Sequence, residues 1–361
     1  MTTIPSKIRA AFSTGVRVLD DRLGSIISGE TLYLVGPTVG GKTTTLMKIL
    51  HHITTTTGMK GMALFTELAE QREKKPDGTY PDEDEVIDRK FGCALAGVEW
   101  RYYENTVADF CAEGLPTLTQ AELDRAQACI AQARAWREAH LVIGRESHPT
   151  SAQISAGLDY CAKHGLAFLA TDHLGLVSFE DEPERNDLKK QEAGFERLVM
   201  KAKRLGVCFF PAGQMGKHAN IGGTAPTIAS IRGAHGNAAA AWLVVACGPH
   251  YKPTKGGDAV LVPGVIEYKV LKNRMGGGSS RTALARVSFG LVRDLHGQEE
   301  LSSLWAKATA DSASIGPAPE VVELQERKKA AERGRLEAIR DDARRKAKAE
   351  TKARLEAEAS K

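Results

Sequence analysis

Thr31 to Leu50 reads TLYLVGPTVGGKTTTLMKIL, and the rest of the chain is understood from it. Leu32, Leu34 and Val35 make a buried strand, Gly36 to Gly41 a glycine-rich turn, and a helix opens on Lys42 and Thr43. The spacing is G-x-x-x-x-G-K-T, that of a phosphate-binding loop. Glycines let consecutive backbone N–H groups point inward without Cβ clashes, and the helix N-terminus adds partial positive charge where phosphates sit. Gly36, Pro37, Thr38, Val39, Gly40, Gly41, Lys42, Thr43 and Thr44 are the expected nucleotide contacts. Lys42 would reach the β- and γ-phosphates, and the Thr43 hydroxyl would bind Mg²⁺.

The 361 residues suit one large α/β domain with extensions, or two small domains. A hydrophobic content of 42% supports a substantial core. No apolar run approaches the roughly 20 residues that span a bilayer, so no membrane partner is expected. The N-terminus has no basic patch followed by an apolar core, which argues against a secretory signal and for a cytoplasmic setting. Cys93, Cys111, Cys129, Cys161, Cys208 and Cys247 are scattered without a C-x-x-C pair, as structural thiols in a reducing compartment would be. The net charge of +4 neither demands nor excludes nucleic acid, so any polyanion site must come from local clustering.

Working outward, a second strand at Gly61 to Phe65 closes on Thr66-Glu67. A carboxylate there faces the crevice where open α/β sheets bind ligands, so Glu67 would orient and deprotonate an attacking water. The competing reading is a solvated glutamate or a helix N-terminal charge. The apolar run Gly165 to Thr171 delivers Asp172, the Walker B pattern in which the acid holds the Mg²⁺ shell opposite the loop threonine, unless Asp172 is structural. Val207 to Ala212 is another strand and stops at Gln214, whose amide could sense the γ-phosphate. The following loop, Met215 to Pro226, carries Lys217, His218 and Asn220, which suit a phosphodiester backbone or an ordinary loop. The strand Gly264 to Leu271 delivers Lys272 and Arg274 before Gly276 to Gly278. These cations are either charge stabilisers for a phosphoryl group or a solubilising hairpin.

The remaining text predicts mostly scaffold. The β-branched run Thr54 to Thr57 is expected to end the first long helix, and the acidic cluster Asp82 to Asp88 to be a solvated face. Trp100, Tyr102, Tyr103 and Phe110 read as satellite core rather than a contact surface. Thr119 with Glu122 three residues on is a capping box opening a helix to His140, and Thr150 begins another to His164. Asp187 to Leu205 is amphipathic and stops at Gly206; Gly248 to Pro263 reads as a loop. Residues 1–13 form an arm, 14–305 the main domain, 306–319 a linker, and 320–361 a charged tail, helical or disordered.

Taken in order, these motifs resemble the RecA-fold motor domain of DnaB-like and phage replicative helicases. TGVRVLDDRL with SGETLYLVGP resembles that family's opening segment, ALFTELAEQ its motif with the catalytic glutamate, and HGLAFLATDHLGLV its Walker B strand. FERLVMKAKRLGVCFFPAGQMGK resembles the glutamine motif, IRG the segment after the DNA-facing loop, and VLKNRMGG the arginine-finger motif. The resemblance implies an α/β fold with a mainly parallel twisted sheet flanked by helices, and ATP hydrolysis with Mg²⁺. It implies Lys42 and Thr43 for phosphate and metal, Glu67 for water activation, Asp172 for the metal and Gln214 for sensing. Lys272 and Arg274 would reach a neighbouring subunit's nucleotide. Lys217, His218, Asn220 and Arg232 would hold single-stranded DNA in the channel of a hexameric ring. A separate primase or loader would be a further partner, and the setting a bacterial cytosol or a phage-infected cell. The family's usual N-terminal domain is not expected before Thr14, and His173 stands where the family often has an aromatic residue. The other function class is an ATP-binding loader, switch or recombination filament of the same fold that does not unwind DNA.

Overall fold

The computed structural model describes residues 10–37, 40–65, 83–107, 116–144, 148–180, 187–215, 227–228, 231, 235–253, 259–274, 282–295, 300–304 and 306. The chain divides into two units, Met1–Trp305 and Ala306–Lys361, and every element named here belongs to the first. A short ribbon of β1 (Ala11–Phe12) and β2 (Ile26–Ile27) flanks α1 (Arg17–Leu23). Then come β3 (Leu32–Gly36), α2 (Lys42–Thr57), β4 (Gly61–Phe65), α3 (Glu83–Ala96), α4 (Trp100–Thr106), α5 (Gln120–His140), β5 (Leu141–Gly144) and α6 (Ser151–Lys163). They are followed by β6 (Phe168–Asp172), α7 (Asp187–Leu205), β7 (Cys208–Gln214), α8 (His235–Ala240), β8 (Leu243–Pro253), β9 (Ala259–Asn273), β10 (Ala283–Ser288) and β11 (Leu291–Asp294).

Strands β3 to β11 make one nine-stranded sheet in the order β11-β10-β9-β8-β3-β7-β6-β4-β5. From β5 to β8 all neighbours are parallel, and β9, β10 and β11 extend that sheet antiparallel. All five residues of β3 are buried, as befits a strand in mid-sheet covered on both faces. Alternation along β3 sends Leu32 and Leu34 to a core shared with Leu46, Ile49 and Leu50 of α2. Tyr33 and Val35 go to a second core with Ile154 and Leu158 of α6 and Phe195 and Leu198 of α7. The parallel strands therefore end together at one edge, where such sheets bind ligands.

Several expectations hold at the level of single caps. Thr119 and Glu122 form a reciprocal capping box at the start of α5, and Thr150 and Gln153 form another at the start of α6. Helix α7 spans the expected residues, and Gly206 follows it at φ 71°. Tyr103 is buried in a satellite core with Cys93, Val98 and Ile130, and Trp100 packs at its margin; Phe110 lies outside the described residues. Buried Cys93, Cys161, Cys208 and Cys247 have thiols pushed up to about 12 by burial, which makes them poor nucleophiles. No helix among the described residues is long and apolar enough to cross a membrane.

Three expectations are corrected. The threonine run does not end α2: Thr54, Thr55 and Thr56 donate their hydroxyls to the carbonyls of Leu50, His51 and His52 at 2.9, 2.7 and 2.6 Å, so they continue the helix. The helix stops at Gly58, at φ 67°, a conformation glycine adopts without strain. The stretch Gly248 to Pro263 is largely strand, because β8 and β9 stay paired as far as Pro253 and Ala259. Lastly, the acidic cluster is not wholly solvated. Asp88 is 1% exposed and accepts from Arg137 Nε at 2.8 Å and Arg134 Nε at 3.3 Å, while Arg137 also reaches Asp84 at 3.2 Å.

That buried pair joins α3 to α5. Removing Asp88 leaves Arg137 with only its longer contacts to Asp84 and Glu138, so the cost approaches but stays below the about 3–5 kcal/mol of a fully stranded buried charge, whereas removing both members is far milder. Asp88→Ala is therefore expected to lower the denaturation midpoint strongly, and the further change Arg137→Leu to recover most of the loss. Urea unfolding of the single and double variants measures both.

Candidate nucleotide site

The loop after β3 is built around glycines that nothing larger could replace. A Cβ on Gly36 would stand 2.2 Å from the Cys247 carbonyl oxygen. Gly41 caps α2 at φ 79°, and a Cβ there would stand 2.2 Å from Ile266 Cδ1 of β9. Within the turn the Gly40 N–H donates to the Pro37 carbonyl at 3.0 Å, and the buried Lys42 ammonium donates to the same oxygen at 2.9 Å. The Thr45 hydroxyl donates to the Gly41 carbonyl and meets the Tyr268 hydroxyl, each at 2.8 Å, which pins the start of α2 onto β9. Burial raises the Tyr268 phenol above its usual range, so it stays a neutral hydrogen-bonding group.

Asp172 closes β6, two strand spacings or about 10 Å from β3 with β7 between them. The Thr43 hydroxyl nevertheless donates to Asp172 Oδ2 at 2.7 Å, across 129 residues of sequence. Asp172 is 1% exposed. A hydroxyl and a carboxylate are the hard oxygen donors that Mg²⁺ takes, and they meet at a helix N-terminus beside a glycine-rich turn; these residues fit a Mg²⁺-nucleotide. Gln214 sits at the same edge: it is in register with Gly36, and the next residue, Met215, donates its N–H to the Gly36 carbonyl at 3.0 Å. Phe65, the last residue of β4, is in register with Asp172, so β4 ends at this edge too. Glu67 itself lies outside the described residues, as do Thr38, Val39, Lys217, His218, Asn220 and Arg232.

Lys272 and Arg274 do not join this group. Asn273 is in register with Leu243, and Leu243 with Leu32, at the start of β3. Four residues of strand, about 13 Å, separate that level from Gly36. The two cations thus occupy the end of the sheet opposite their own phosphate loop. There Lys272 donates to the Ala238 carbonyl at 2.9 Å and to that of Ala239, and Arg274 donates to Ala239 at 2.7 Å. Burial, and then the neighbouring Arg274, draw the Lys272 ammonium below the usual lysine range.

Sequence reasoning assigned no role to several groups around the site. His173 follows Asp172 at φ 74°, in the left-handed region uncommon for residues other than glycine, and is buried. On the sheet face away from α2, a cleft of about 530 Å³ is lined by Tyr33, His173, Phe179, Lys190 and Gln214, among others. The Tyr33 hydroxyl lies over Gly213, where a Cβ would come within 2.3 Å of it. Trp242 falls in the turn between α8 and β8 and packs against Arg274. No local pattern marks any of these, because each depends on which strand lies next to which.

A glycine-rich loop leaving a central parallel strand, with an acid from the next strand but one meeting the threonine after the loop, is the arrangement of a RecA-like α/β fold. Solved structures agree on the fold. The chain is similar to a DnaB-like replicative helicase, described with its interactions with primase, at a TM-score of 0.56 and 13% identity over 79% of this chain and 63% of that one. It is also similar to the ATPase domain of G40P, at a TM-score of 0.57 and 13% identity, over 79% of this chain and 91% of that one. This chain thus spans under two thirds of the first protein's length and nearly all of the second. No protein-family model matches the sequence, and no curated protein is similar to it.

Proposed function

We propose that the chain is an ATP-hydrolysing motor that assembles into a hexameric ring, moves on single-stranded DNA and separates the duplex ahead. The observation that supports the reading is that the candidate residues fall at two opposite ends of one sheet. Thr43, Asp172 and Gln214 gather at the phosphate loop, while Lys272 and Arg274 stand at the far end. A ring of identical subunits would bring one end against the other and complete each site with a neighbour's cations.

In this reading the loop N–H groups and Lys42 hold the phosphates, and the Thr43 hydroxyl and Asp172 carboxylate hold Mg²⁺. The ion would supply charge neutralisation at the β- and γ-phosphates. Glu67 would orient the attacking water and accept its proton, and Gln214 would respond to loss of the γ-phosphate. Because Gln214 leads directly into the loop with Lys217, His218 and Asn220, hydrolysis would be passed to a DNA-holding segment that continues to Arg232. A separate primase or loader is a proposed partner, in keeping with the DnaB-like relative.

A forked-duplex unwinding assay with the purified full chain, together with sizing in ATP, tests the proposal. Expected are hydrolysis stimulated by single-stranded DNA, an ATP-dependent oligomer and strand separation. Stimulated hydrolysis without strand separation at any concentration would overturn the motor and favour a loader, switch or filament.

A further inference from the structure

Lys272 and Arg274 do not extend freely from the end of β9. The Arg274 guanidinium lies 5.6 Å from the centre of the Trp242 ring, within cation–π range, and its backbone N–H donates to the Trp242 carbonyl at 3.3 Å. The ammonium of Lys203, on α7, stands over the same ring at 5.2 Å. The heads of Lys272 and Arg274 rest on the carbonyls of Ala238 and Ala239, where the partial negative charge of a helix C-terminus favours cations. Ring and carbonyls belong to one short stretch, 238–242, so a single segment holds both cations.

Trp242 is suited to this by its ring face rather than its polar edge. Its indole N–H is buried and meets no acceptor among the described residues, a cost that phenylalanine would not incur. Tryptophan is also the ring that attracts a cation most strongly. A flexible arginine must be ordered before it can stabilise a transition state, and ordering it beforehand lowers the barrier.

We propose that Trp242 is a positioning residue that presents Arg274 to the nucleotide bound by a neighbouring copy. This rests on the reading of Arg274 as a finger acting in trans. Trp242 acts on the reaction only through the cation it holds, so its contribution vanishes once Arg274 is removed.

ATP hydrolysis and nucleotide binding by the full chain test this in Trp242→Leu, Trp242→Phe, Arg274→Ala and the double variant Trp242→Leu/Arg274→Ala. Leucine keeps apolar bulk without a π face. Trp242→Leu is expected to lower kcat about three- to thirtyfold at unchanged KM, Trp242→Phe to recover part of the loss, and the double variant to match Arg274→Ala. An equal loss from Trp242→Leu in the Arg274→Ala background, or phenylalanine no better than leucine, would overturn the inference while leaving the finger intact. An unchanged rate for Arg274→Ala alone would overturn the finger reading, and this inference with it. Should Trp242→Leu not fold, Trp242→Tyr and Trp242→Phe decide instead: rates falling in the order Trp, Tyr, Phe support the role, and equal rates overturn it.

Discussion

Arg274→Ala is expected to lower kcat for ATP hydrolysis by about 10³-fold or more, while nucleotide affinity stays within about twofold of the parent. The asymmetry follows from position. Arg274 stands at the end of the sheet away from its own phosphate loop, held by Ala239 and Trp242, so it contributes nothing to binding in cis. Its charge would be felt only by phosphate oxygens of an adjoining subunit, and most strongly as negative charge builds on them in the transition state. Mixing sharpens the test. Subunits with Arg274→Ala and subunits with Lys42→Ala each lack a different half of the site, so a mixture should hydrolyse ATP faster than either alone. Turnover and fluorescent-nucleotide binding of the separate and mixed variants measure this, and an equal loss of binding and turnover would count against action in trans.

Asp172→Asn is expected to lower Mg²⁺-dependent hydrolysis by roughly 10²- to 10³-fold, the effect of losing several kcal/mol of charge placement around a metal-bound phosphate. The carboxylate is 1% exposed and already accepts from the Thr43 hydroxyl at 2.7 Å. Two oxygen donors from distant parts of the chain converge on one point, so Thr43→Val should resemble Asp172→Asn. Because they would serve one ion, the double variant should be little worse than either single change. Nucleotide affinity measured with EDTA should barely move. A Mg²⁺ titration of turnover checks all three variants, and additive losses would instead make Asp172 a purely structural acid.

Much of the fold could be read from local text, and the reason differs by element. The capping box at Thr119, the helix start at Thr150 and the stop at Gly206 were legible because a cap is chemistry within three or four residues. The threonine run was misread because β-branched residues disfavour helix on average, whereas here each hydroxyl finds a carbonyl one turn back. Asp88 looked solvated because its neighbours are charged. Its burial comes from Arg134 and Arg137, some fifty residues on, which no window on the cluster contains.

The candidate site divides the same way. By itself the sequence located the glycine-rich turn before α2, the acid at the end of the apolar run to Asp172 and the glutamine after the next strand, since each is a short motif carried by its own residues. Only the tertiary structure decided that Thr43 touches Asp172, that Gln214 lies level with Gly36, and that Lys272 and Arg274 stand at the other end, resting on Ala238, Ala239 and Trp242. Those relations depend on strand order and register. Both are set by the packing of two cores across the whole sheet, which no stretch of local sequence encodes.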